Sequence, residues 1–438
     1  MTVSQREVPA GAASVPAPRR GPVRAARRLL SDGLVRGSFL LVLNQLLGAA
    51  AGFCFTLIAA RLYPPAQLGV STSALSATAL AVNVAGLGLG YSVVRMLPTA
   101  RDRAAMLDTC LTASGMALVA VPLVLALSPL TAELRAEGGA AVVPALLLGT
   151  LASGLLSVVE AVFVADRASG RVVAVTCVSS AVRLGALVAF LPLGALAAYC
   201  AQTAAWLIGA SLLVLTLCRR DGYRPRLRMD RGALDALWRF SAGAYASAMT
   251  GSIPGMVVPL LVVGTLGTAE ASFWYVAYQV ANLLFLLGNM VSRSMLAEGS
   301  YAEAGRLALL RKGSLLLAAV LLPVLGVAYA GAPLLLSLFG SSYDAGASTL
   351  LRYLIVSAAL VGANYVFGTV LLLDRRVFFS VFVNLANAAL VIGLVLTSAD
   401  SLAEVGRAWL AGEVLNVVLF GLGAAWVLRR RRAEWGPA

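Results

Sequence analysis

Uninterrupted apolar runs of about 20 residues recur along the whole sequence, and each is long enough to cross a bilayer as a helix. A membrane β-barrel would instead show short segments of alternating polarity. The chain is 60% hydrophobic and only 12% charged, about half the charged share of a soluble protein. These features define an all-α, polytopic membrane protein. Twelve spans are predicted, at residues 38–60, 70–96, 107–130, 141–165, 172–192, 195–218, 240–264, 271–295, 314–338, 348–373, 377–397 and 407–428.

The net charge of +14 could indicate nucleic acid, but its distribution argues against that partner. The arginines cluster in short loops between spans, where cations act as orientation signals. With the N-terminus inside, the inner segments hold 27 of the 34 Lys and Arg. The outer side and its span edges hold Arg61, Arg135, Arg352 and Arg407. Arg95 and Arg293 stand at inner span ends. The bias predicts both termini in the cytoplasm, because one missed span would invert every later loop. External loops are short; the longest is TAELRAEGGA (131–140), so no external domain is present to hold an active site. The predicted organisation is a basic cytoplasmic tail (1–37), a six-helix bundle (38–218), a basic linker (219–239), a second six-helix bundle (240–428) and a basic tail (429–438). The linker reads as an orientation signal and tether, with a lipid-headgroup or partner site as the alternative.

The halves echo each other weakly. GAAAG (48–52) in span one is matched by GSIPG (251–255) in span seven, and VVRML (93–97) by VSRSML (291–296). Six spans per half give both halves the same orientation, as in parallel-repeat transporters. With no histidine, the chain has no His-based proton relay, His-ligated metal or His-activated nucleophile. Five cysteines lie in or beside apolar runs without CxxC spacing, and are expected to be buried as small hydrophobes. GLGLGYSVVR (86–95) is not a nucleotide loop: its spacing is GxGxG, no strand precedes it, and it falls inside a span. Close helix packing accounts for it better. No metal, cofactor or enzymatic activity is expected.

Ionisable groups in hydrocarbon are costly and usually face an interior or a hydrated cavity. Arg183 falls at the middle of span five, too deep to snorkel easily. It either pairs with a carboxylate such as Glu160 in span four or lines a cavity. Glu413 lies in span twelve. Asn44, Gln45, Asn83, Gln279 and Asn282 add amides that are candidates for the cavity wall or for interhelical hydrogen bonds. Two glutamates are a thin supply of carboxylates for cation coupling.

The first hundred residues carry a more specific pattern. LNQLLGAAAGFCFTLIAARLYPPAQLG, followed by a span ending GLGLGYSVVRML, resembles the polysaccharide-biosynthesis flippases of the multidrug/oligosaccharidyl-lipid/polysaccharide (MOP) exporter superfamily. Arg61, Pro64 or Pro65, Gly69 and Arg95 match that pattern. The resemblance implies two helical bundles around a central cavity that opens alternately to each side of a bacterial cytoplasmic membrane. It implies an undecaprenyl-diphosphate-linked glycan as substrate, with glycan polymerases or glycosyltransferases as partner proteins. Arg183, Arg61, Asn44, Gln45, Asn83, Gln279, Asn282 and Glu160 are the candidates to meet substrate. The alternatives are a cation-coupled multidrug antiporter on the same fold and a non-transporting membrane partner of a glycan-assembly complex. Arg61 runs against the charge bias: it either snorkels to outer headgroups or caps the carbonyls at the end of span one beside the cavity mouth.

Overall fold

The computed structural model describes residues 33–86, 88–220, 222–301, 306–374 and 376–435; most of the predicted N-terminal tail lies outside them. Twelve helices are long and apolar enough to cross a membrane. They are α1 (Gly33–Leu62), α2 (Pro65–Gly86), α4 (Arg103–Leu127), α6 (Val142–Ala165), α7 (Ser169–Ala189), α8 (Ala197–Arg220), α9 (Arg231–Leu266), α10 (Thr268–Tyr301), α11 (Arg306–Ala330), α13 (Ser341–Leu373), α14 (Val377–Ser398) and α15 (Leu402–Trp435). Three short helices, α3 (Leu89–Met96), α5 (Ala132–Gly138) and α12 (Ala332–Ser337), lie between them. Among the described residues there is no strand. Large apolar side chains such as Val124, Val327 and Phe378 are exposed on the helices' outer surface, where only a bilayer would accommodate so many.

Each half packs its six long helices in the same order. In the first, α1 lies on α7, α2 on α4 and α6, α4 on α6, and α8 on α6 and α7. In the second, α9 lies on α14, α10 on α11 and α13, α11 on α13, and α15 on α13 and α14. The internal repeat therefore exists in the packing. The glycine pair proposed to mark it does not hold in detail. An added Cβ would meet Asn384 Nδ2 at 3.2 Å on Gly251 and the Tyr278 hydroxyl at 2.6 Å on Gly255, whereas on the matching Gly48 it would meet nothing within 4 Å and on Gly52 only Gln279 Nε2 at 3.9 Å.

The predicted second span is broken. α2 stops at Gly86, Gly88 takes a left-handed backbone (φ 70°), and α3 restarts at Leu89. GLGLG is thus chiefly a helix break, since glycine alone enters this region without a Cβ penalty. The equivalent stretch of α10 runs through to Tyr301 without interruption. Helices also extend into the predicted linker and C-terminal tail, leaving only 222–230 non-helical in the linker and continuing α15 to Trp435. Of the cysteines, Cys110 alone is buried; Cys54 and Cys177 are exposed on their helices.

The halves meet chiefly through α2 against α9 and α10, and less through α1 against α10. One large core cluster, including Phe55, Leu68, Val262, Trp274, Phe339 and Leu350, crosses between them on the face of the α1–α2 turn. On the opposite face, which carries the chain's described ends, the second half has a core of its own around Leu371 and Phe420, while the first-half core around Val93 and Leu213 also takes in Leu237 at the start of α9, whose carbonyl accepts from Ser92 Oγ at 2.8 Å. The molecule is joined broadly on the turn face and, on the ends face, through the start of α9 against α3.

Candidate functional site: a central cavity sealed on one face

The seal begins with the turn itself. Pro64 is exposed and supplies the carbonyl that accepts from Leu68 N–H at 3.0 Å, opening α2; Pro65 occupies the first helical position, where its missing N–H costs nothing. Gly69 follows one turn later. A Cβ there would lie 1.7 Å from the carbonyl oxygen of Thr268, so α2 meets the α9–α10 turn backbone to backbone. Arg61 completes the contact. Its guanidinium donates to the carbonyls of Leu338 at 2.7 Å and Ser337 at 3.2 Å. These terminate α12, whose dipole is negative at that end. Arg61 therefore caps a helix of the other half, 277 residues away, not its own span. It lies outside the central cavity's walls. Arg95 is exposed on α3.

The other cations predicted on the outer side also have protein partners. Arg135 donates to Ser128 O at 3.4 Å, Arg407 pairs with Glu404 at 3.0 Å, and Arg352 lies over the Tyr329 ring at 5.6 Å.

Beneath this seal lies a cavity of about 710 Å³, walled by α2, α6, α7 and α8 from the first half and α9, α10, α13, α14 and α15 from the second. Arg183, Asn83, Gln279 and Asn282, predicted from three different spans, all line it. Arg183 does not pair with Glu160. Its Nη1 donates to Gln202 Oε1 at 3.0 Å, its guanidinium lies 5.3 Å from the Phe55 ring centroid, and its Nε has no protein partner. Glu160 and Asn44 line a neighbouring cavity of about 630 Å³, which shares Val82 and Asn83 with the central one. Gln45 lines neither. Helix azimuth separates these residues: Glu160 projects from α6 into a different space from Arg183 on α7.

The second half contributes a further wall around Glu413, which the sequence placed in span twelve but did not count among the cavity candidates. Glu413, 7% exposed, accepts from Asn364 Nδ2 at 2.8 Å and Asn416 Nδ2 at 3.5 Å. Asn387 stands beside it in the cavity lining. The side-chain oxygens of Asn364, Asn387 and Asn416 lack protein partners. So do the indole nitrogens of Trp274 and Trp409, which pack with Tyr278 at centroid separations of 5.5–5.9 Å. The amides clustered along spans ten to twelve were the available signal; their common face could not be read from uniformly apolar helices. The cavity is thus cationic on the first-half wall, and anionic and rich in unpaired polar atoms on the second.

Known proteins share this architecture. Among solved structures, the chain is similar to the lipid II flippase MurJ in an inward closed conformation (TM-score 0.65, 13% identity, covering 89% of this chain and 87% of that one). It is also similar to a multidrug resistance MATE family transporter of the MOP superfamily in an inward-facing conformation (TM-score 0.63, 15% identity, 87% and 95%). A third is a MOP superfamily transporter from Pyrococcus furiosus, described as having reverse polarity of its binding pocket (TM-score 0.54, 15% identity, 95% and 98%). At these identities the likeness establishes the fold. A search of curated proteins finds no match. The family model described as polysaccharide biosynthesis protein matches residues 58–348, a stretch that begins just before the Ala59–Gly69 turn and runs through the seal and most of the cavity wall. By that match, over more than half its length, the chain belongs to the polysaccharide biosynthesis protein family.

Proposed function

We propose that the protein moves a lipid-linked oligosaccharide or polysaccharide precursor, of the undecaprenyl-diphosphate class, across a bacterial cytoplasmic membrane by alternating access. The observation that carries this is a cavity between two similarly packed halves, sealed on one face, with Arg183 on its wall. A buried guanidinium with an unpaired Nε offers a diphosphate charge-assisted hydrogen bonds. Sugar hydroxyls both donate and accept, which suits the unpaired amide oxygens and indole N–H groups opposite. The lipid chain would stay in the bilayer. The charge bias supports both chain ends in the cytoplasm; on that reading the sealed turn face is external and the described state is open inward.

Glu413 favours a second reading, a cation-coupled antiporter on this fold. One buried carboxylate among three asparagines is a small but real site for a proton or a hard cation. The two readings separate on Arg183. Arg183→Ala is expected to lower glycan export at least tenfold while the protein reaches the membrane in normal amount. Normal export with loss of organic-cation efflux would instead establish the antiporter.

A further inference from the structure

The basic linker is fixed in place. The Tyr223 hydroxyl donates to Asp108 Oδ1 at 2.5 Å, Arg226 N–H donates to the same oxygen at 3.0 Å, and Asp230 N–H donates to Thr109 Oγ1 at 3.0 Å. Asp108 is 4% exposed, so a buried carboxylate at the start of α4 straps residues 222–230 across that helix end. Arg224, Arg226 and Arg228 alternate along this non-helical strap and all line one cavity of about 450 Å³. Arg103, ion-paired to Asp166, closes its far side. The two acidic groups in the lining are already engaged: Asp108 as above, and Asp102 by accepting from Ala105 N–H at 2.9 Å. The spans of α4 and α8 begin and end here, at Arg103 and Arg219, which sets the pocket at headgroup level. Leu227, 96% exposed on the strap, has no aqueous rationale but suits insertion beside it.

A second observation lies directly below. An apolar groove of about 720 Å³ runs between α4, α6 and α8, lined by Leu111, Leu118, Leu155, Leu207, Val214 and Leu215 among others. It starts at Leu111, one helical turn beyond Leu107, and on α8 it is lined by Leu215 and Cys218 on either side of Leu217; Leu107 and Leu217 both line the cationic pocket. Gly115 keeps it open, since a Cβ there would meet nothing within 4 Å. The groove shares no lining residue with the central cavity, and meets the Glu160 cavity at Ser114, Leu118 and Val158. Its rim is on the helices' outer surface, with Leu155, Leu207 and Leu215 each more than a third exposed.

We propose that the strap and the α4–α6–α8 groove bind one anionic phospholipid of the surrounding membrane, its phosphate on Arg224, Arg226 and Arg228 and an acyl chain in the groove. Cations above and hydrocarbon below match an anionic lipid at both ends. The site lies apart from the Arg183 cavity and would persist whatever the cargo.

The test is lipid retention on the full-length protein, measured by native mass spectrometry after exchange between phosphatidylglycerol and phosphatidylcholine. Wild type is expected to prefer phosphatidylglycerol. The triple variant R224Q/R226Q/R228Q should lose that preference, at about fivefold per charge and on the order of a hundredfold for three. Gly115→Phe keeps every charge and so guards against altered membrane insertion; it should also release the lipid. Undiminished phosphatidylglycerol preference in both variants overturns the proposal. So does displacement by millimolar inorganic phosphate, which would leave the groove without a role. Tighter retention of undecaprenyl phosphate than of phosphatidylglycerol, lost in the same variants, would reassign the site to the carrier lipid.

Discussion

Gly69→Ala is the most local perturbation of the seal. The added Cβ would stand 1.7 Å from the oxygen and 2.6 Å from the carbonyl carbon of Thr268. Both belong to backbone, so no rotamer change relieves the clash. An ordinary carbon–oxygen contact is about 3.3 Å or more, and α2 must therefore withdraw from the α9–α10 turn by about 1.6 Å. Overpacking of this kind costs about 1–3 kcal/mol, a factor of roughly 5–150 in the balance between two states. The cost falls only on the state sealed at the turn face, because the contact links the two halves. Spin labels at Ala66 and Ser342, both exposed on that face, would read the change by pulsed electron resonance. The expected result is a longer, redistributed distance in Gly69→Ala, with helical content and thermal midpoint close to wild type. An unchanged distance distribution in the folded variant would refute the argument that Gly69 permits closure.

Three further outcomes follow from the same geometry. Arg61→Ala should shift the same distance in the same direction but less, since capping a helix end at an exposed site is worth about 1 kcal/mol, roughly fivefold; an effect larger than that of Gly69→Ala would contradict the ranking. Ala66→Cys, in a background lacking the native cysteines, should react with an impermeant thiol reagent from outside intact cells, and labelling only after lysis would invert the orientation. Burial, together with the hydrogen bond to Asp108 and its charge, raises the Tyr223 pKa above its ordinary value of 10. Its contribution to strap docking is therefore complete below pH about 10 and is lost as pH rises toward the folded-state value. A probe on Leu227→Cys should stay immobile in wild type up to pH 10 and gain mobility only as pH rises beyond it, and should be mobile without that pH step in Tyr223→Phe; a mobility in wild type that already rises below pH 10 would contradict this.

The sequence carried the spans well because length and apolarity alone decide them. It carried less of what breaks or orients them. The interruption at Gly86–Gly88 hides in unbroken apolarity, since α3 is as membrane-compatible as α2. Arg183, Asn83, Gln279 and Asn282 were legible as a group because buried polar groups in hydrocarbon need a shared interior. Glu160 was grouped with them by depth, yet it faces a neighbouring space, since depth follows from residue count whereas azimuth depends on packing. Arg61 shows the limit most clearly. Its oddity was evident from charge bias, but its partners are two carbonyls of a short helix far along the chain, and carbonyls leave no trace in composition. The role of Gly69 is equally non-local: the motif marked the residue, and only the Thr268 backbone explains it.

The central claim is that a diphosphate-linked glycan crosses through the Arg183 cavity. The direct measurement is translocation in proteoliposomes, using a fluorescent undecaprenyl-diphosphate-linked sugar whose headgroup is quenched or cleaved only from outside. Wild type should expose about half of the initially protected lipid-linked sugar within minutes, and Arg183→Ala should do so at least tenfold more slowly at equal protein incorporation. Equal rates for wild type, Arg183→Ala and protein-free vesicles would contradict the account.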